Sequence, residues 1–132
     1  MTRAARALKG WLTVTGTAYA VGAIGFVARP RDAVEALNAS GGDPAEHEEP
    51  SGLYNSLAGA YMATIAALAL TAAADPEGRR DLIPPLLVGK AASSSALLYR
   101  YTKTRRRGFA VGAALDAFLF GVTAGLYSSL DR

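Results

Sequence analysis

Charged residues along this chain come in clusters, and the stretches between the clusters are almost wholly uncharged. Lys9 and Arg29 bracket the first stretch, Gly10 to Ala28. Glu49 and Asp75 bracket the second, Pro50 to Ala74. Asp81 and Arg100 bracket the third, Leu82 to Tyr99, which only Lys90 interrupts. Arg107 and Asp131 bracket the fourth, Gly108 to Leu130, which only Asp116 interrupts. A helix needs about 20 mainly apolar residues to cross a bilayer, at a rise of about 1.5 Å each. All four stretches meet that length. A helix satisfies its own backbone polar groups, as hydrocarbon requires. The pattern predicts an all-α, four-transmembrane-helix bundle. It forms a single integral membrane domain over 1–132, with spans near 10–28, 50–74, 82–99 and 108–130.

These spans are rich in Ala, Gly, Ser and Thr rather than Leu and Phe, so an alanine-rich soluble bundle is the competing reading. A soluble surface helix shows a charged face every few residues. Nothing charged occurs from Pro50 to Ala74. The first span is the weakest, diluted by Thr13, Thr15 and Thr17. Its basic start (Arg3, Arg6, Lys9) and the small-residue stretch Ala18–Tyr19–Ala20 also resemble a cleavable signal peptide. The apolar run continues past that stretch to Ala28, so a retained span is expected.

The connections carry their own signals. Residues 29–42 read as a short interfacial helix that Pro30 opens and Gly41 and Gly42 close, with Asp32 and Glu35 near its start. Val34 and Leu37 share one face, which suits the membrane surface. The following acidic stretch, "DPAEHEEP", holds the lone histidine, His47. Its spacing is diagnostic of no metal, so a solvated loop is expected. The stretch "DPEGRRD" is a tight turn, and "RYTKTRRR" a short basic one. Short connections make antiparallel neighbours, so spans two and three, and three and four, are expected as hairpins. Six Lys/Arg fall on the side of the termini and seven on the other, which leaves the orientation open under the positive-inside rule.

Composition narrows the chemistry. Cysteine is absent, which removes disulfides, thiolate metal sites and a cysteine nucleophile. One histidine excludes a haem held by two histidines of one chain. The net charge is only +3, and the basic residues flank apolar runs. That suits lipid headgroups better than a nucleic-acid groove, so "KTRRR" reads as a membrane flank and no nucleic-acid partner is expected. The phosphate loop, nucleophile elbow, paired zinc ligands and dinucleotide fingerprint are all missing. The expectation is a non-enzyme with no cofactor and no metal.

Lys90 and Asp116 then stand out. Counted from Arg100 and Arg107 at the helical rise, both lie about 14–15 Å from the same membrane face. An intramembrane charge usually faces the bundle interior and pairs. Equal depth on adjacent spans makes Lys90–Asp116 the expected pair. The same count places Tyr19 and Tyr61 in that layer, with Ser93 and Ser94 one turn along the lysine helix. A midplane network of Lys90, Asp116, Tyr19, Tyr61 and Ser94 follows. It serves either to fix how the helices assemble or as a proton or substrate site.

Small residues supply a second pattern. Ala113, Ala117, Gly121 and Gly125 recur at four-residue spacing, and Gly108 and Gly112 extend it on a neighbouring stripe. Such stripes let helices approach closely. Packing within the bundle is expected, with a homodimer face as the alternative. Gly16, Gly22 and Gly25 add contact points in the first span. Trp11, Tyr54 and Tyr127 lie near span ends, where aromatic belts sit.

The layout of a span ending in "GFVARPRDAVEAL", a polar stretch, "GLYNSLAGAYMATIAALAL" and two more spans around a basic turn resembles the DoxX-like family of small four-helix membrane proteins. The resemblance implies a multi-pass protein of the cell's inner (plasma) membrane, often without assigned activity and sometimes a subunit of a larger enzyme. Small multidrug exporters share the size and span count, but their first-span glutamate has no counterpart between Gly10 and Ala28. Two functional expectations result. One is a structural or accessory subunit whose partners are membrane lipids and a larger membrane protein complex or a second copy. The other is a small proton-coupled or solute transporter that uses the same midplane residues.

Overall fold

Each membrane-length stretch forms a helix, and two of the helices run well beyond the apolar residues that predict them. The computed structural model describes residues 1–41 and 52–131. Its helices are α1 (Arg3–Ala28), α2 (Pro30–Gly41), α3 (Gly52–Ala74), α4 (Ile83–Thr104) and α5 (Arg107–Ser128). Short 3-10 turns follow at Arg80–Leu82 and Ser129–Asp131. No strand occurs among the described residues. α1, α3, α4 and α5 are each long and apolar enough to cross a membrane, and together they make an all-α four-helix bundle.

Helix ends follow from caps and prolines rather than from charge. α1 begins at Arg3, before the apolar run, because Thr2 caps it and accepts from the Ala5 N–H at 3.1 Å. Arg29 leaves the helical region, with φ −142° and ψ 65°, since a following proline disfavours the α conformation. Pro30 then opens α2. Prolines occupy the first turn of α4, where a missing N–H breaks no helical bond. α4 continues to Thr104, so the basic loop expected from Arg100 to Arg107 shrinks to Arg105 and Arg106. Charges mark where hydrocarbon ends, whereas a helix stops only where its hydrogen-bond ladder is capped or broken. The turn after α3 is closed by the Gly78 N–H donating to Asp75 Oδ1 at 3.0 Å. The side chains of Val34 and Leu37, and the whole acidic stretch around His47, lie outside the described residues.

The spans pack as two pairs. α1 and α3 lie in close contact, α4 and α5 form the second tight pair, and the pairs meet more loosely through α1–α5 and α3–α4. The hairpin expected of α4 and α5 is present. α3 touches α4 across its turn, yet its main partner is α1. Glycine explains that preference. A Cβ at Gly16 would fall 2.7 Å from Leu70 Cγ, and one at Gly59 would fall 3.2 Å from Val27 Cγ2. A Cβ at Gly22 would collide with Met62. In lipid, helices hold together where small residues let backbones approach. α2 packs on α1 and α5. At the end of the bundle that carries Thr2 and the α3–α4 turn, Leu8, Leu12, Ala69, Ala72, Ala73, Ile83 and Leu86 form a buried apolar cluster.

The α5 stripe corrects an expectation. Ala113 is buried and Gly112 faces Leu97, 3.1 Å from where a Cβ would stand. Gly108 is half-buried. Ala117, Gly121 and Gly125 are exposed, and a Cβ at Gly121 or Gly125 would meet nothing within 4 Å. Steps of four residues drift about 40° each around a helix of 3.6 residues per turn. A stripe that starts on buried Ala113 has therefore rotated off the bundle interior by Gly121.

The contrast gives a test. Gly16→Val should destabilise the fold by about 1–3 kcal/mol through overpacking against Leu70. Gly121→Val should stay within about 0.5 kcal/mol, as for a site without neighbours. Reversible unfolding in mixed micelles, followed by circular dichroism, reads both. Equal losses would contradict the packing described for α1 and α3.

Candidate functional site

The buried polar side chains converge where the two helix pairs meet. Lys90 of α4 is 1% exposed and Asp116 of α5 is 6% exposed. Lys90 Nζ donates to Asp116 Oδ1 at 2.8 Å. Tyr19 of α1 reaches across from the other pair. Its hydroxyl donates to the same Oδ1 at 2.9 Å and accepts from the Lys90 ammonium. The ammonium also lies 3.8 Å from the centre of the Tyr19 ring and 5.4 Å from that of Tyr61. Aromatic faces attract cations, more strongly where water is excluded. The charge of Lys90 is thus met by a carboxylate, a hydroxyl oxygen and two ring faces.

Tyr61 of α3 takes a different hydrogen-bond partner from Tyr19. Its hydroxyl donates to the Gly89 carbonyl at 3.0 Å. Gly89 makes that approach possible, because a Cβ there would stand 3.1 Å from Ile65 Cδ1. Ser94 sits one turn beyond Lys90 and donates to the Ala113 carbonyl at 2.9 Å. It ties α4 to α5 beside the ion pair without joining it. The structure therefore brings Lys90, Asp116 and Tyr19 into one hydrogen-bonded unit, with Tyr61 above it and Ser94 next to it.

A second polar bridge was not anticipated. Trp11 Nε1 donates to Thr123 Oγ1 at 2.9 Å, and the Thr123 hydroxyl donates to the Leu119 carbonyl at 2.7 Å. Thr123 is only 1% exposed. Trp11 also meets Phe118 edge-on, with ring centres 6.0 Å apart. Trp11, expected as a belt residue, is thus half-buried and bonded inside the bundle. Its depth carried the signal. Trp11 and Thr123 stand about 10–12 Å along their helices from Tyr19 and Asp116, by the helical rise. The layer count that pairs Lys90 with Asp116 pairs these two as well. Tyr127 lies beneath the Arg80 guanidinium, 5.7 Å from ring centre to carbon. The side chain of Tyr54 is outside the described residues.

Chemically, the centre is a compact unit of one cation, one anion and a bridging hydroxyl. Lys90 and Asp116 are the only Asp, Glu, Lys, Arg or His residues inside the four spans. Among the described residues, no group of three His, Cys, Asp or Glu comes close enough to hold a metal ion. A surface concavity among the described residues lies elsewhere. It is a groove of about 520 Å³ between α1 and α3, lined by Ala23, Ile24, Val27, Ser56, Ala60 and Ala63 among others. None of the midplane polar side chains lines it. Comparison with family models, with curated proteins and with solved structures finds no match.

Tyr19→Phe removes the bridging hydroxyl and keeps the ring over Lys90. It should cost about 1 kcal/mol, in line with interhelical hydrogen bonds in membranes. Tyr61→Phe should cost no more, because its bond goes to a neutral carbonyl. A double-mutant cycle of Tyr19→Phe with Asp116→Asn, read by unfolding in mixed micelles, should show coupling. Strictly additive losses would mean that Tyr19 and Asp116 do not share the bond described.

Proposed function

We propose that this chain is a DoxX-like multi-pass protein of the inner (plasma) membrane that acts as a structural or accessory subunit of a larger membrane complex. The Lys90–Asp116 pair is the lock of its bundle. The observation that carries this reading is the closure of the midplane unit. Lys90 and Asp116 bind each other, and Tyr19 binds both from the opposite helix pair. Removing one partner of such a pair leaves a charge uncompensated in a medium of low dielectric constant, which is strongly destabilising. A relay reaching the membrane surface needs further ionisable steps, and the four spans contain no other ionisable Asp, Glu, Lys, Arg or His. The open small-residue face of α5 at Ala117, Gly121 and Gly125 suits close approach by a helix of a partner or of a second copy.

The second reading is a small proton-coupled or solute carrier built on Lys90, Asp116, Tyr19 and Tyr61. What favours it is the partial exposure of Tyr19 and Tyr61 beside a fully buried ammonium. The two readings part on what the charges do. A lock needs opposite charges in contact, whichever helix carries which. A carrier needs each group where its chemistry acts.

Lys90→Asp and Asp116→Lys alone should each cost about 3–5 kcal/mol, as for a broken buried pair. The double variant should recover most of that loss. Native-level tagged protein in mild detergent should retain a stoichiometric protein partner, and the double variant should retain it too. A chain that purifies alone, as monomer or homodimer, would overturn the subunit reading in favour of the carrier. A double variant no more stable than the single ones would count against the lock.

A further inference from the structure

We infer that Thr15 and Asp116 hold a buried water molecule in the seam between α1 and α5, so that the midplane unit includes a bound ligand as well as its side chains. Such a site belongs to the unit under either reading above.

Thr15 of α1 is 5% exposed. Its hydroxyl makes no hydrogen bond among the described residues. Other helical threonines of this chain do not leave theirs open. Thr13, Thr64 and Thr123 donate to the carbonyl four residues back, at 2.8, 2.9 and 2.7 Å. A hydroxyl is a donor and an acceptor at once. Burial without a partner penalises it, so buried polar groups are nearly always bonded to protein or to ordered water.

Asp116 offers the complementary atom. The Lys90 ammonium and the Tyr19 hydroxyl both end on Oδ1. The other oxygen, Oδ2, meets no donor among the described residues. The side chain is only 9% exposed. An ionised carboxylate accepts at about four sites over its two oxygens. Two donors crowded on one oxygen therefore leave the other unserved inside the bundle.

Helix geometry brings the two atoms into one seam. Trp11, Thr15 and Tyr19 follow at four-residue steps along α1, each step turning about 40° and rising about 6 Å. Thr15 is therefore midway between its two neighbours in both direction and depth. Trp11 reaches Thr123 and Tyr19 reaches Asp116. Those two partners are seven residues apart, so they share one face of α5 to within about 20°. Thr15 thus faces the same side of α5, between the two bridges. Trp11 and Tyr19 each need a ring to cross this seam, and a threonine is too short to do so. One water, with hydrogen bonds of about 2.8 Å on either side, joins polar atoms about 5 Å apart. Water also fits the charges. It accepts from the Thr15 hydroxyl and donates to the carboxylate, and adds no charge to a unit in which Lys90 already balances Asp116. A metal ion or an ammonium would place a second cation beside a single anion.

Two measurements test this. The first is a crystal structure of the wild-type chain, grown from a lipidic mesophase, at a resolution that shows ordered water. A density peak should stand within hydrogen-bond distance of both Thr15 Oγ1 and Asp116 Oδ2. No such peak overturns the site, whether the Thr15 hydroxyl has closed on the Trp11 carbonyl or Oδ2 has met a protein donor. The second is the isosteric variant Thr15→Val, which removes the hydroxyl and keeps the shape. Its folding equilibrium constant in mixed micelles should fall about fivefold, the effect of one interhelical hydrogen bond in a membrane protein. A constant that is unchanged or higher, as the loss of an unbonded hydroxyl would give, overturns the site. In a double-mutant cycle with Asp116→Asn, Thr15→Val should couple to Asp116, although the two side chains share only the water. Strictly additive losses would contradict a shared ligand. If Asp116→Asn does not fold, the wild-type structure and Thr15→Val still decide the question.

Discussion

Lys90 and Asp116 are both buried, and on the proposed reading each fixes the helix that carries it. α4 must turn Lys90 inward and α5 must turn Asp116 inward at the same depth, to within the reach of one 2.8 Å bond. That requirement sets the rotation of both helices about their axes. With Asp116 turned inward, Ala113 and Thr123 also point inward on α5 and Ala117 and Gly121 do not. An apolar interface in lipid cannot impose this, because lipid tails are as apolar as the side chains they would replace. On the proposed reading the ion pair sets the register of the two helices, which is the best-attested use of a buried charge.

The two kinds of contact divide the work. Within each helix pair, close approach dominates, with Gly16, Gly22 and Gly59 between α1 and α3 and Gly112 between α4 and α5. Between the pairs, polar groups add to the apolar cluster that joins them at the Thr2 end. Tyr19 bonds Asp116 and Lys90, Tyr61 bonds the Gly89 carbonyl, and Trp11 bonds Thr123. Tyrosine and tryptophan suit this seam because they span its wider gap with an apolar body and place one hydrogen-bonding group at the far end. A serine at Tyr19 would not reach. A carboxylate there would add a second negative charge beside Asp116.

Much of this arrangement was legible in the chain, and the boundary of legibility is physical. Charge spacing revealed the spans, because hydrocarbon excludes charge over a fixed length. Depth counting placed Lys90 beside Asp116, because the helical rise is constant along both spans. The same ruler reaches Trp11 and Thr123, although an end-of-span tryptophan suggests a belt first. The α4–α5 pairing was legible from its short turn, whereas the α1–α3 pairing was not. Turn length named α4 as the neighbour of α3, whereas complementary relief between glycines and Leu70 or Met62 made α1 its main partner. Relief of that kind depends on which face meets which, and composition does not carry it. Only Gly112 and Ala113 of the α5 stripe pack inside the bundle, for a related reason. Four-residue spacing drifts about 40° per step, so Ala117 and Gly121 have already left the face on which Ala113 is buried.

The two ends of the bundle are held by different means, and the midplane unit lies between them. Toward Thr2 and the α3–α4 turn, Leu8, Leu12, Ile83 and Leu86 bury against three alanines of α3, and Trp11–Thr123 ties the pairs together. Toward the α4–α5 turn, the buried apolar residues among those described are Ala23 and Phe26 of α1 and Ala113 of α5, and a groove opens between α1 and α3. There α2 packs on α1 and α5 instead, so the midplane unit is flanked by an apolar cluster on one side and by a fifth helix on the other.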